Sequence, residues 1–177
     1  MMEWIGQGIG ILAMAFNILS YQSKSARGVI FMQLFGASLF AASFLMLGQY
    51  VGGILNIIAA VRAILFYFKD RTKIDRVGWI PVFIAAYFAV YAATFLVFQK
   101  PLTPWNFVIE LLPVLGMTAT SIAYRFEEAG KVRRFGLISS CSWLVYNVNA
   151  MALGAIICEV LSLGSIFIGM LRLDRKK

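Results

Sequence analysis

The sequence predicts an all-α membrane protein: seven transmembrane helices in a 3+1+3 arrangement, two parallel three-helix repeats joined by one extra helix. Three observations carry this prediction. The 177 residues are 61% hydrophobic and only 14% charged, against roughly half apolar and a quarter charged in a soluble domain. The apolar residues come in successive runs of about 20, the length that crosses a bilayer core. The basic residues fall between alternate runs, so charge marks one side of the predicted bundle.

The runs place spans at 4–21, 29–47, 50–68, 78–98, 104–123, 134–151 and 154–171. They leave only short loops and no soluble domain to house an active site. The first stretch, MMEWIGQGIG, opens with an acid and lacks both a basic region and an A-x-A-like site. It therefore reads as a retained span and not a signal peptide. Lys24 and Arg27 follow span 1; Lys69, Arg71, Lys73 and Arg76 follow span 3. Arg125, Lys131, Arg133 and Arg134 follow span 5, and Arg172, Arg175, Lys176 and Lys177 follow span 7. Only Lys100 and Arg62 fall elsewhere. The positive-inside rule then puts the N-terminus outside and the C-terminus in the cytoplasm, as an odd span count requires. The net charge of +8 is explained by topology and anionic lipid, with no nucleic-acid partner.

Composition also removes chemistries. The chain has no His, which removes His acid–base catalysis and His metal sites. It has no phosphate-cradling glycine loop to couple ATP, and no Lys deep in a span for a Schiff base. No cofactor or metal is expected. Cys141 and Cys158 lie within apolar runs and read as small packing residues, not a disulfide.

Spans 1–3 and 5–7 share a layout: a span ending in a Tyr-led polar loop, then two spans joined by a tight outer turn. NILSYQSKSARG aligns with TSIAYRFEEAGK, Tyr21 with Tyr124 at an offset of 103, and Gly48 with Gly154 at 106. The predicted units are a first repeat over 1–72, a linker helix over 73–102 and a second repeat over 103–177. A three-span unit needs one extra span before it can recur in the same orientation, and transporters of the SWEET type are built this way, with the solute site between the repeats.

Ionisable residues inside spans usually face a bundle interior or cavity. Three occur: Arg62, Glu110 and Glu159. Arg62 either snorkels to the inner surface or takes a pairing role. Glu110 and Glu159 are read as facing a cavity, against interfacial placement. Asn17, Gln33, Asn56, Asn147 and Asn149 are the uncharged polar set; amides in lipid also glue helices together. Trp143, Tyr146, Asn147 and Ala150 share one face of span 6 at i, i+3, i+4 and i+7. That stripe offers stacking plus hydrogen bonds to a sugar or heterocycle, or else a packing face with an aromatic belt. Pro113, inside ELLPVLG at 110–116, invites a kink at a gate, with Gly116 one turn away. Gly6–Gly10 and Gly48–Gly52 allow close helix approach, within the chain or in a dimer.

On ELLPVLG, SSCSWLVYN at 139–147, Glu159 and the LN…R pattern from Leu55 to Arg62, the chain resembles the YgjV-type family of small bacterial inner-membrane proteins. That family is distantly similar to the PQ-loop superfamily of SWEET and SemiSWEET facilitators, which makes the expected fold SWEET-like. The namesake Pro-Gln position here reads Tyr21-Gln22, without the proline. The resemblance implies a substrate-contacting Asn on the third span of each repeat and an aromatic on the second. Asn56 fits the first; its counterpart at offset 106 is Ser162. Trp143 and Tyr146 fit the aromatic role in copy two, with Phe40 or Ser43 in copy one.

The function expected is a non-enzymatic transporter working by alternating access, a facilitator or ion-coupled carrier of a small polar solute such as a sugar, nucleoside or vitamin precursor. Substrate-binding candidates are Asn56, Trp143, Tyr146, Asn147 and Glu159; gating or coupling candidates are Pro113, Glu110, Arg62 and Asn17. The partners are the solute and the lipid bilayer, and the chain is a monomer or a homodimer. The alternative is a non-transporting receptor or scaffold of the same fold. An intramembrane enzyme is disfavoured, because Ser139, Ser140 and Ser142 have no basic partner nearby.

Overall fold

The computed structural model describes residues 2–47, 50–68, 78–149 and 153–174. All regular structure among them is helical: α1 (Met2–Ser20), α2 (Ala26–Met46), α3 (Tyr50–Tyr67), α4 (Trp79–Leu96), α5 (Pro104–Ala123), α6 (Ala129–Asn149) and α7 (Leu153–Gly169), followed by a π-helical turn over Met170–Asp174. The tight turn at Gly48–Gln49, the loop cations from Lys69 to Arg76, Ala150 and the last three residues lie outside the described residues.

Local chemistry sets the helix starts. The Ser25 hydroxyl accepts from the Gly28 N–H at 3.1 Å and caps α2. Thr103 does the same for the Asn106 N–H at 3.2 Å, and Pro104 occupies the first turn of α5, where its missing N–H is not needed. Among the described residues, four helices are long and apolar enough to cross a membrane: Ala26–Met46, Trp79–Leu96, Pro104–Ala123 and Ala155–Asp174. Trp4–Ser20 and Gly52–Tyr67 are shorter apolar segments. The remaining helix, α6, carries Ser139, Ser140, Ser142, Asn147 and Asn149. These polar residues dilute its apolar character, and several of them face the interior.

Packing is organised around two central helices. α2 lies against α1 and α3, α6 lies against α5 and α7, and α2 and α6 touch each other. α1 also meets α7, while α4 bridges α3 and α5. Gly6 and Gly10 serve the α1–α2 contact. The Ser43 hydroxyl donates to the Gly6 carbonyl at 2.7 Å, and a Cβ at Gly10 would sit 2.9 Å from that hydroxyl. This pair is thus spent on internal packing. A broad ring of exposed Leu, Ile, Val, Phe and Trp covers the outside of the bundle, as lipid contact requires.

One boundary differs from expectation. α6 begins at Ala129, not near residue 134, so Arg133 and Arg134 are helical. Arg133 is not a loop cation: it is 1% exposed. Its Nε and Nη2 pair with Asp174 of the π-helical turn, and its Nη1 donates to the carbonyls of Tyr21 (3.2 Å) and Ser23 (2.8 Å). The charge at this position ties three chain segments together.

Candidate functional site

A cavity of about 170 Å³ lies between the first three helices and the last three. Its lining draws on α1, α2, α3, α5, α6 and α7, and on Tyr21 and Tyr124, the residues that follow α1 and α5. The floor, at the end where α1 and α5 finish, is polar and closed. The Tyr124 hydroxyl donates to Gln33 Oε1 at 2.5 Å. Gln33 Nε2 donates to the Ser20 hydroxyl at 3.3 Å, which donates to the Asn17 carbonyl at 2.6 Å. Tyr21 closes the other side: a Cβ at Gly136 would come within 2.8 Å of its ring, and one at Gly169 within 2.5 Å of its carbonyl. Only glycine admits Tyr21 here.

Arg62 enters the cavity from α3. It is 3% exposed and does not snorkel. Its Nη1 donates to the Tyr87 hydroxyl (3.0 Å), the Met117 carbonyl (2.9 Å) and the Ser121 hydroxyl (3.1 Å). The guanidinium carbon stands 4.8 Å from the Tyr124 ring centroid, a cation–π contact strengthened by burial. Its Nε has no hydrogen-bond partner. Glu159 lines the cavity from α7, next to Cys158 in the lining and beside Ser140. Neither Arg62 nor Glu159 has an ion-pair partner among the described residues.

Six of the nine site residues expected from sequence converge on this space: Asn17, Asn56, Arg62, Trp143, Asn147 and Glu159. Asn56 Nδ2 donates back to the Gly52 carbonyl at 2.9 Å, whereas the Asn147 amide makes no hydrogen bond to the described residues and is available to a ligand. Three residues are not in the lining. Tyr146 packs edge-on against Trp143, centroids 5.8 Å apart, behind the cavity wall. Glu110 is buried but forms a salt bridge with Lys100. Pro113 is buried inside α5.

Sequence reasoning did not single out several residues of the site. Tyr21 and Tyr124 marked the repeat but were not expected to form a floor; their matched positions were the available signal. Thr120, Ser139 and Ser140 add hydroxyls, with Thr120 Oγ1 donating to Ser139 Oγ at 3.2 Å. Gln22, in the place of the missing Pro-Gln motif, donates through Nε2 to the carbonyl (2.7 Å) and hydroxyl (2.8 Å) of Ser165. Ser165 in turn donates to the Ile18 carbonyl at 2.6 Å and so seals α7 against α1.

α2 and α6 start 103 residues apart, the same spacing as Tyr21 and Tyr124; an offset of 106 matches Asn56 with Ser162, and an offset of 103 matches it with Glu159. The same offset pairs lining residues with lining residues: Tyr21 with Tyr124, Asn17 with Thr120, Phe40 with Trp143, Phe44 with Asn147 and Asn56 with Glu159.

Comparison with known proteins agrees with the membrane character of this bundle. The family model for the Imp-YgjV bacterial inner membrane protein matches residues 4–177. The inner membrane protein YgjV of Escherichia coli (strain K12) is 24% identical over 157 residues, 88% of this chain and 77% of that protein. No solved structure matches the chain. A multi-pass helical bundle with an apolar exterior, matched along nearly its whole length, belongs to the YgjV family of bacterial inner membrane proteins.

Proposed function

We propose that this chain is a transporter of a small polar solute and that the central cavity is its binding site. The observation carrying this reading is the lining itself. Amides, hydroxyls, an indole and two ionisable groups converge on one space drawn from both ends of the chain. Burying so many polar groups away from lipid is costly, and a purely structural bundle gains nothing from leaving the Asn147 amide unpaired. A binding cavity does, because the ligand completes those hydrogen bonds.

The 3+1+3, SWEET-like reading is favoured by the lining residues matched at an offset of 103 and by the exchange of the two tyrosines. Tyr124 reaches Gln33 of α2, and Tyr21 packs on Gly136 of α6. On this reading α4 is the linker, and the site lies between the repeats, where related architectures bind solute. With the N-terminus outside, the closed floor faces the cytoplasm, and alternating access requires Tyr21 and Tyr124 to part.

The test is a solute screen by thermal shift on purified protein beside Asn147→Ala, followed by flux in proteoliposomes. Binding stabilises the folded state by about 1.4 kcal/mol at ten times Kd. Stabilisation of wild type but not of the variant, together with flux, supports the proposal. Flux that responds to a pH gradient and loses that response in Glu159→Gln identifies proton coupling. Binding without flux makes the chain a receptor, and no response from any solute overturns the site.

A further inference from the structure

We infer that the cavity takes a small zwitterion: a molecule of amino-acid size carrying one carboxylate and one ammonium group. This inference rests on the transporter reading of the cavity and narrows it to a class of solute.

Size comes first. A cavity of about 150 Å³ accommodates benzene, so about 170 Å³ holds about six to nine non-hydrogen atoms. Nucleosides and hexoses exceed that space. A molecule of three or four carbons with two polar ends fills it.

Charge comes second. Arg62 and Glu159 line the same cavity from the third and the seventh helix. Each is an ionisable group inside the membrane-spanning bundle, where a lone ion is expensive. Such groups normally pair with each other or with a nearby counter-charge, yet neither has an ion-pair partner among the described residues. Arg62 is held rigidly by three hydrogen bonds through Nη1 and by the Tyr124 ring. Its Nε–H remains unspent in a side chain that is 3% exposed. A guanidinium fixed in this way, with a donor left over, suits a carboxylate oxygen. Glu159, an acceptor beside the Ser140 hydroxyl, suits an ammonium. A zwitterion brings both missing counter-charges and adds no net charge to the site, which neither a simple anion nor a simple cation does. The free Asn147 amide and the Trp143 face are left to contact the body of the solute.

The experiment compares molecules of one shape and different charge. L-alanine and L-serine are titrated into purified protein at millimolar levels. L-lactate, which lacks the ammonium, L-alaninamide, which lacks the carboxylate, D-glucose and uridine are titrated in parallel. The expected result is stabilisation by alanine and serine, with Kd at least tenfold weaker for lactate and alaninamide. Because Arg62 also braces three helices and its variants risk unfolding, the paired variant is Glu159→Gln. It is expected to weaken alanine at least tenfold and to erase the discrimination against lactate. Equal binding of alanine, lactate and alaninamide overturns the zwitterion assignment. Stabilisation by glucose or uridine but not by alanine overturns it too and leaves the transporter reading standing. Alanine binding without alanine flux in proteoliposomes supports the zwitterion site and overturns transport. No response to alanine or serine overturns the zwitterion assignment, and the transporter reading then rests on the wider solute screen.

Discussion

Where the first-half wall of the cavity presents Phe40, Phe44 and Asn56, the second-half wall presents Trp143, Asn147 and Glu159 at the same offset of 103. Arg62 on the first side stands where the second has Ser165. The floor, by contrast, repeats: Tyr21 and Tyr124 hold matched places. The difference separates scaffold from site. Positions that set helix spacing and the floor are retained in both halves. Other lining positions differ: both walls carry an aromatic ring and an amide, but the cation, Arg62, is on the first and the carboxylate, Glu159, on the second. On the proposed reading, an asymmetric solute needs an asymmetric lining, and the difference between the two walls would supply it.

The joints between the halves differ in the same way. α7 meets α1 through the small Ser165 and Gln22. α3 meets α5 through the large Arg62, with Tyr87 of α4 completing its shell. α4 thus supplies a further hydroxyl to the larger, charged joint.

The largest expected effect tests that contrast. Arg62→Ala removes a donor shared by a buried hydroxyl pair and a carbonyl and leaves a void, and should destabilise by about 2 to 4 kcal/mol; Ser165→Ala, at the matched place, should cost only about 1 kcal/mol. Denaturation of the purified protein reads both, and equal losses would break the comparison. The floor comes next. Gly136→Ala drives a methyl into the Tyr21 ring and should cost about 1 to 3 kcal/mol. Gly164→Ala meets nothing within 4 Å and should be neutral or stabilise by about 0.5 kcal/mol through helix propensity. Making the walls alike is subtler. Asn147→Phe, which copies Phe44, should leave the fold intact and weaken solute binding at least tenfold, about 1.4 kcal/mol. Smallest is Tyr146→Phe: the side chain lies behind the wall, so binding should change by less than about twofold, well under 1 kcal/mol.

Much of this arrangement was legible in the sequence. Span positions followed from apolar runs, which the lipid environment enforces strongly, and six of nine expected site residues meet in the cavity because polar groups in spans turn inward. The misplacements have physical causes. Arg133 reads as a loop cation because its partners, Asp174 and the Tyr21 and Ser23 carbonyls, lie far away in sequence. Glu110 reads as a cavity carboxylate because Lys100, ten residues before it, belongs to a different segment and returns across a loop to pair with it. Tyr146 shares a helix face with Asn147 by spacing, but a face is wider than a cavity, and the Trp143 ring occupies the edge nearer the space.

The central claim is that the space between the halves is a solute site reached from water. Cys158 lines it, and Cys141 is exposed on the outer surface of α6. In a Cys141→Ser background, the rate at which a small water-soluble methanethiosulfonate modifies Cys158 measures access to the cavity directly. The account predicts modification of the folded protein in proteoliposomes and at least a fivefold slowing by saturating alanine. A thiol that never reacts until the protein unfolds, or one that reacts at the same rate with every solute present, would contradict it.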